Sequence, residues 1–235
     1  MKQTIAIVGG GACGVASFIE LFIKIHQFGL QDSIRIDWFE KEKTLGYGLA
    51  FGSEEKGHLL NTPTDLMGVY AKEPAHFTDW VADRKTRDSD LVHGEGEWND
   101  TYTARFLYGD YLAEQADRYL AMANRTGISV CVKNTEVVDL DQDKDQYVLH
   151  DSAGGVHTAN FVVLALGTPK PQNFLSFRQY EAYIPFPWPS RPLIEKISTS
   201  EHIGVLGSSL SAIDTIMTLE DNGYTGKISL FSPDG

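Results

Sequence analysis

Apolar runs alternate with amphipathic stretches from the start of this 235-residue chain. Residues 5–8 form a short apolar run typical of a buried parallel strand. From residue 12 to about residue 27, apolar side chains recur every three or four positions, which predicts a helix that Gly29 would end. A second strand is predicted over residues 34–39. Strand, helix and strand in this order predict a βαβ unit, and therefore a parallel sheet.

The glycines between the first predicted strand and helix have the spacing of a dinucleotide-binding turn. Gly9, Gly11 and Gly14 follow the pattern G-x-G-x-x-G, which allows a tight turn, close approach to a pyrophosphate and close helix packing. Glu40 ends the second predicted strand, where an acid accepts hydrogen bonds from a ribose. The acid lies 26 residues after Gly14, against roughly 20 in the usual pattern. The alternative is an ordinary βαβ unit with a solvated glutamate.

A second strand–turn–helix pattern occurs near the end of the sequence. A predicted strand at 202–206 precedes Gly207, Ser209 and Ala212, which form a degraded fingerprint with serine as the middle residue. A helix ending near Asn222 and a strand at 228–231 follow. The pattern predicts NAD(P) binding, and the alternative is a second βαβ unit with a structural role only.

The sequence between the two patterns is predicted to be mainly strand, followed by a connector. The predicted strands are residues 127–132, 136–140, 146–150 and 161–166, the last being fully apolar. Six of the nine prolines fall between Pro169 and Pro192, so this stretch is predicted to lack regular structure.

Charge and composition exclude several classes of function. The net charge of −12 argues against nucleic acid or an anionic membrane as partner, because both need clustered Lys and Arg. No apolar run approaches the roughly 20 residues of a membrane span. Cys13 and Cys131 are far apart, which excludes a C-x-x-C redox centre, and the histidines show no metal-ligand spacing. We expect a cytoplasmic protein that acts on a small molecule and holds no metal.

Further motifs in the sequence are specific to one family. They are residues 46–52 (GYGLAFG), 58–63 (HLLNTP), 77–80 (FTDW), 105–112 (RFLYGDYL), 164–167 (LALG), 187–188 (PW) and 207–214. With these motifs the chain resembles a bacterial FAD/NAD(P)-binding family of two-dinucleotide flavoprotein oxidoreductases, near the flavin-containing and N-hydroxylating monooxygenases. Leu166 stands where such flavoproteins have threonine.

The resemblance implies an α/β, Rossmann-like FAD/NAD(P)-binding fold with three layers. Residues 1–167 would form the FAD-binding domain with a helical insertion at 41–124, residues 168–199 a Pro-rich connector, and residues 200–235 the start of an NAD(P)-binding domain. Because the flavin domain of such proteins normally resumes after the nicotinamide domain, we expect the second unit to be truncated and the chain to be a fragment.

The resemblance also implies which residues contact the cofactors. The glycine turn would hold the FAD pyrophosphate, Glu40 the adenosine ribose, and the Val137 backbone the adenine. NAD(P)H would meet Gly207 and Ser209, and Pro233-Asp234 in place of an arginine leaves the choice between NADH and NADPH open. The implied FAD-binding set is Gly9, Gly11, Ala12, Cys13, Gly14, Glu40, Lys41, Gly46, His58, Leu60, Asn61, Val137, Ala165 and Gly167.

The resemblance implies that the chain is an FAD-dependent NAD(P)H oxidoreductase. More specifically, it implies a monooxygenase that hydroxylates a small nucleophilic substrate. The alternatives are a flavin-binding module or redox sensor without turnover and a nicotinamide-only dehydrogenase. His58 is either a proton-transfer residue or a packed, hydrogen-bonded histidine, and Arg105 either neutralises an anion or forms a surface ion pair. The H-x-x-x-W sequence of His76 to Trp80 is interpreted as a helix whose Phe77 and Trp80 share one buried face.

Overall fold

The computed structural model describes residues 2–53, 55, 57–85, 92–93, 98–197 and 199–233. The strands are β1 (Gln3–Val8), β2 (Ile34–Phe39), β3 (Val92–His93), β4 (Tyr102–Thr103), β5 (Ser129–Lys133), β6 (Val137–Asp143), β7 (Gln146–Asp151), β8 (Val156–Ala159), β9 (Phe161–Leu164), β10 (His202–Leu206) and β11 (Lys227–Phe231). The helices are α1 (Ala12–Gln27), α2 (Gly48–Phe51), α3 (His76–Lys85), α4 (Arg105–Thr126), α5 (Ser190–Ile197) and α6 (Leu210–Asp221), with short 3-10 helices at Thr64–Leu66, Trp98–Asp100 and Leu175–Gln179.

A parallel sheet with the order β5-β2-β1-β9 forms the centre of the first unit, by which we mean β1 to β9 with their connections. β1 and β2 pair in parallel from Gln3 opposite Ile34 to Val8 opposite Phe39, so the two strands end at the same edge. The predicted βαβ unit over β1, α1 and β2 is confirmed.

Alternating side chains of β1 reach two different cores, which defines the three layers. Ile7 joins the cluster formed with α1 and α4, whereas Ala6 and Val8 join Leu149 and Ala159 of the antiparallel sheet β6-β7-β8. Successive residues of a strand point to opposite faces, so one strand buries both sides. Helices therefore cover one face of the parallel sheet and the small antiparallel sheet covers the other.

The insertion after β2 packs as helices against the rest of the first unit. α3 contacts α4, and Phe77 is fully buried with its ring 5.9 Å from that of half-buried Trp80. The predicted shared face of these two side chains is thus confirmed. His76 contacts the Tyr111 hydroxyl of α4 through Nδ1 at 2.9 Å, so the H-x-x-x-W sequence is part of a packed helix pair.

β10, α6 and β11, together with α5 packed against them, form the second unit. Its strands and α6 lie close to their predicted positions. β10 and β11 are parallel, and a small separate core contains Leu193, Ile197 and Leu219.

The connector prediction is wrong in part. The stretch between Pro169 and Pro192 holds the 3-10 helix Leu175–Gln179 and the start of α5. Proline fits the first turn of a helix because the N–H groups there need no partner within the helix, so Pro192 does not prevent α5.

β9 also differs from its prediction, because it ends at Leu164 and not at residue 166. Leu164 and Leu166 are 56% and 67% exposed. β9 lies at the edge of the described sheet, and an apolar run alone does not separate an edge strand from a central one. Among the described residues, no helix has the length and apolar character needed to cross a membrane.

Candidate dinucleotide-binding sites

The first glycine turn is held between β1, β9 and α1 by contacts too close for any side chain. Gly9 has a φ of +108°, and a Cβ there would lie 2.2 Å from the Ala165 carbonyl oxygen after β9. A Cβ on Gly14 would lie 2.0 Å from the Gly9 carbonyl oxygen. These contacts bring the start of α1 onto the end of β1, as the spacing predicts.

The space over the middle glycine is open. A Cβ on Gly11 would meet only the Gly48 Cα, at 3.6 Å, and the φ of −72° is ordinary. The backbone N–H groups of Ala12, Cys13 and Gly14 have no acceptor within the described part of the chain. An open cradle lined by unbonded N–H groups at the positive end of a helix fits a pyrophosphate.

Glu40 lies beside this turn at the end of β2. Its carboxylate accepts hydrogen bonds from the Gly10 N–H and, at 2.9 Å, from the Glu42 N–H. Asn134 Nδ2 donates to the carbonyl oxygens of Glu40, Lys41 and Glu42 at 2.8–3.0 Å, which fixes the loop after β2. The carboxylate is therefore placed at the same sheet edge as the glycine turn, where its predicted ribose contact requires it.

Three further residues of the implied FAD set lie close to that edge. Gly46, with a φ of +101°, donates its N–H to the Gly10 carbonyl at 2.7 Å and abuts the Ala113 backbone of α4. Ala165 donates its N–H to the Val8 carbonyl at 2.8 Å. The Lys41 ammonium pairs with Glu136 at 3.2 Å on the surface.

Gly167 and Val137 lie farther along the chain from these contacts. Gly167 has a φ of +69° with no atom within 4 Å of an added Cβ, and Val137 begins β6. No contact in the described residues joins either one to the glycine turn, so their cofactor roles stay predictions.

Sequence reasoning assigned no role to Tyr47, Gly48 and Asp110, although the motif at 46–52 contains the first two. The Tyr47 hydroxyl donates to Asp110 of α4 at 2.6 Å, and Gly48 is the residue closest to Gly11. Burial, followed by the hydrogen bond to Asp110, raises the pKa of Tyr47 to about 12, so its hydroxyl stays protonated at neutral pH. This bond ties α2 to α4 and so shapes the open side of the cradle.

The second turn repeats the backbone geometry of the first. Gly207 has a φ of +119° and donates its N–H to Phe231, the last residue of β11, at 2.8 Å, just as Gly9 donates to Phe39, the last residue of β2, at 2.9 Å. The middle residue is extended in both turns, with φ and ψ of −85° and −176° at Ser209 and −72° and −166° at Gly11. Any residue adopts that conformation, so serine leaves the turn intact. Pro233 follows β11, and Asp234 lies outside the described residues.

His58 is buried, and both of its ring nitrogens are bonded to protein. Nδ1 is 3.1 Å from the Ser53 hydroxyl, and Nε2 is 2.7 Å from the Thr218 hydroxyl and 3.1 Å from the Asp214 carbonyl oxygen of α6. Of the two sequence interpretations, the geometry matches the packed, hydrogen-bonded histidine. No ring nitrogen is left to exchange a proton with a ligand.

Arg105 begins α4 and reaches the second unit. Its Nη1 pairs with Asp214 Oδ2 at 2.9 Å, and its Nη2 donates to the Leu59 carbonyl at 2.9 Å. Of the two interpretations of Arg105, the geometry matches the ion pair. The pair is half-buried, not on the surface, and it joins the two units. Neighbouring Leu60 is buried and donates its N–H to the Thr103 carbonyl, whereas Asn61 is exposed.

The described residues contain no group of three or more His, Cys, Asp and Glu side chains suited to a metal ion. Cys13 is exposed at the first turn, and neither it nor Cys131 is in a disulfide.

Two solved structures that share this fold belong to chains much longer than this one. A cyclohexanone monooxygenase from Rhodococcus sp. Phi1, bound to NADP+, superposes with a TM-score of 0.59 at 17% identity, over 99% of this chain and 39% of its own. A steroid monooxygenase bound to NADP superposes with a TM-score of 0.52 at 18% identity, over the same shares. At these identities the likeness concerns the fold.

Sequence comparison identifies the family. The Escherichia coli K12 protein YdhS, described as uncharacterized, is 26% identical over an alignment of 228 residues that covers 93% of this chain and 39% of YdhS. The chain thus spans about two fifths of the length of the relatives it matches. The sequence model of one family matches residues 6–169, more than half of the chain, in agreement with the predicted family, fold and cofactors. The chain belongs to the FAD-NAD(P)-binding family.

Proposed function

We propose that this chain is the cofactor-binding part of an FAD-dependent NAD(P)H oxidoreductase. The observation that carries the proposal is the repeated turn: Gly9 and Gly207 have the same left-handed backbone and the same hydrogen bond to the end of the neighbouring parallel strand. Each turn leads into a helix, α1 or α6, whose first N–H groups favour an anion. Two such sites in one chain suit a pair of dinucleotides.

The residues of the first turn would hold FAD, and those of the second would hold NAD(P)H. The N–H groups of Ala12, Cys13 and Gly14 would donate to the FAD pyrophosphate, and Glu40 would exchange its bond to the Gly10 N–H for one to the adenosine ribose. Gly207 and Ser209 would allow the NAD(P)H pyrophosphate to approach α6 in the same way. When bound, FAD supplies a two-electron acceptor for the hydride of NAD(P)H, and the protein orients the two cofactors and excludes water.

The more specific form of the proposal is a monooxygenase that hydroxylates a small nucleophilic substrate. Its support is the fold shared with cyclohexanone and steroid monooxygenases, and no described residue identifies the substrate. The relatives are more than twice as long as this chain, so the monooxygenase activity is proposed for the whole protein.

An absorption spectrum of the purified chain tests the oxidoreductase proposal. We expect flavin absorption bands as isolated or after addition of FAD, and loss of the oxidised-flavin absorption when NADH or NADPH is added without oxygen. The nicotinamide that bleaches faster is the preferred one. Bands that persist with both nicotinamides would identify a flavin-binding module without turnover. Nicotinamide binding without any flavin binding would favour the dehydrogenase alternative.

A further inference from the structure

One patch of polar contacts joins the first unit to the connector and the second unit, and we call it the seam. The first unit contributes a loop and the start of α4, and the second contributes the middle of α6. The residues of the seam are Glu55, His58 and Arg105 on one side and Trp188, Ser190, Asp214 and Thr218 on the other.

Three seam residues bond one another in a closed ring. The Arg105 N–H donates to the His58 carbonyl at 2.6 Å, where residues 58–60 pair with residues 103–105. From these adjacent backbones the two side chains reach the same residue of α6: Arg105 pairs with the Asp214 carboxylate at 2.9 Å, and His58 contacts the Asp214 carbonyl at 3.1 Å. Asp214 is therefore held through both its side chain and its backbone.

The ion pair in this ring is more than a surface contact. The side chains of Arg105 and Asp214 are 20% and 12% exposed, so removal of either partner leaves a charge that water reaches poorly. Arg105 is also the first residue of α4, where the positive end of the helix disfavours a cation. The dipole of α4 thus opposes arginine at this position, whereas Asp214 of the other unit favours it.

The surrounding contacts are close as well. The His58 ring packs edge-on against Trp188 with centroids 4.7 Å apart, and the Ser190 hydroxyl donates to Glu55 at 2.9 Å. A Cβ on Gly57 would lie 3.0 Å from the Met217 methyl group of α6. The seam thus combines directional bonds with tight packing, which favours one arrangement of the units over others.

We infer that Arg105 and His58 are positioning residues that fix the second dinucleotide-binding turn relative to the first. They hold Asp214 and Thr218, which lie on successive turns of α6, and Ser209 at the start of that helix forms part of the second turn. Hydride transfer requires the two cofactors to meet in a defined geometry, and a displacement of about 1 Å can slow a reaction about 100-fold. The inference rests on the proposed function for its kinetic consequence, but not for its structural one.

The experiment uses fluorine NMR of the chain labelled with 5-fluorotryptophan, together with flavin reduction kinetics. The four tryptophans give four resonances, of which Trp188 reports the seam and the other three the first unit. In Arg105→Gln and Asp214→Asn we expect the Trp188 resonance to move and the other three to stay. We also expect the anaerobic rate of flavin reduction to fall at least about 10-fold, while the Kd for FAD changes less than about 3-fold.

Two further variants serve as control and rescue. Arg191→Gln removes an equal charge from an exposed pair within α5 and should leave all four resonances and the reduction rate unchanged. Arg105→Lys keeps the charge, but one ammonium replaces the fork that bonds both Asp214 and the Leu59 carbonyl, so an intermediate rate is expected. If Arg105→Gln disturbs all four resonances, the variant has altered the first unit as well as the seam. Asp214→Asn and Gly57→Val then test the inference in its place, because they alter the seam at other residues.

An unmoved Trp188 resonance in the folded seam variants would overturn the inference, and so would a reduction rate equal to that of the wild type. A wild type that binds FAD and is reduced by neither nicotinamide would instead refute the proposed function. In that case the fluorine spectra alone decide whether the seam positions the second unit.

Discussion

The three glycines of the first turn differ in how much room they leave for a side chain. Gly9 needs a left-handed backbone and touches the Ala165 carbonyl, Gly14 touches the Gly9 carbonyl, and Gly11 has free space with an ordinary backbone. Gly9 and Gly14 are limited by contacts within the protein, whereas the space over Gly11 is available to a ligand. Substitutions at these positions should therefore separate effects on folding from effects on binding.

Gly11→Leu should abolish FAD binding without unfolding the chain. The side chain would occupy the open cradle and cover the unbonded N–H groups, each worth about 1.5–3 kcal/mol toward a charged group. We expect the Kd for FAD to rise at least about 100-fold, measured by quenching of flavin fluorescence. Ser209→Leu is the matched control: it places the same side chain in the second turn and should keep FAD binding. Retention of FAD by Gly11→Leu at wild-type stoichiometry would show that the first site is misassigned.

Gly14→Ala should destabilise the fold, although alanine normally stabilises a helix relative to glycine by about 1 kcal/mol. The added Cβ would lie 2.0 Å from the Gly9 carbonyl oxygen, so α1 must move away from β1. Such overpacking costs about 1–3 kcal/mol. We expect the free energy of unfolding, measured with urea, to fall by an amount near the upper end of that range. Lys24→Ala, an exposed change in the same helix, should stay within about 0.5 kcal/mol of the wild type. A Gly14→Ala chain as stable as the wild type would mean that the helix does not approach the strand this closely.

At the scale of elements, the connection between β7 and β8 depends on one carboxylate. Asp151 Oδ1 accepts hydrogen bonds from the Ala153 and Gly155 N–H groups at 2.9 and 2.7 Å, and Oδ2 lies 2.7 Å from His157 Nε2. The hydrogen bond with His157, and then that from Gly155, lowers the pKa of Asp151 below its ordinary value. Its partner His157 in turn packs its ring on Phe39, the last residue of β2, with ring centroids 5.0 Å apart.

Asp151→Asn should therefore lower the Tm at neutral pH, and the loss should disappear in acid. A carboxylate with a lowered pKa in the folded state contributes stability above its unfolded pKa of about 3.9, and this contribution is lost as the pH falls through the folded value. In melting curves of both proteins recorded from pH 7 downward, the difference in Tm should begin to shrink below about pH 4 and should go on shrinking as the pH falls toward the lowered folded pKa of Asp151. Asp143→Asn, on the exposed part of β6, serves as the control. A constant difference across the range would show that the charge of Asp151 is not responsible.

The sequence predicts a helix or strand well when the residues that determine it are close together along the chain. β1, α1 and β2 follow from short-range patterns, and β10, α6 and β11 do so equally well. The sequence does not decide the roles of His58 and Arg105, because their partners lie in α6, and Thr218 is 160 residues from His58. The predicted end of β9 at residue 166 is wrong because β9 pairs with β1 only as far as Leu164 opposite Val8, and the end of a partner strand is not local information.

Across the whole molecule, the cores of the two units are separate. The first unit buries a large cluster around Ile7, Phe18 and Tyr111, whereas the cluster of the second contains only Leu193, Ile197 and Leu219 as buried members. Because burial of apolar surface is the main stabilising term, the two units should differ in local stability. Among the described residues, the seam and the connector link the unit with the larger core to the unit with the smaller one.

Hydrogen–deuterium exchange measured by mass spectrometry should show this difference directly. We expect amides of β10, β11 and α6 to exchange at least about 10-fold faster than those of β1 and β2, a difference of about 1.4 kcal/mol in opening free energy. Saturating FAD should slow exchange in the first unit by stabilising its folded form, about 2.7 kcal/mol at 100 times the Kd. Equal protection of both units without ligand would mean that the seam joins them into one cooperative body, and Asp214→Asn should then raise exchange in both. If the units are separate, the same variant should raise exchange in the second unit alone, because the Arg105 contact is lost there while the larger core stays intact.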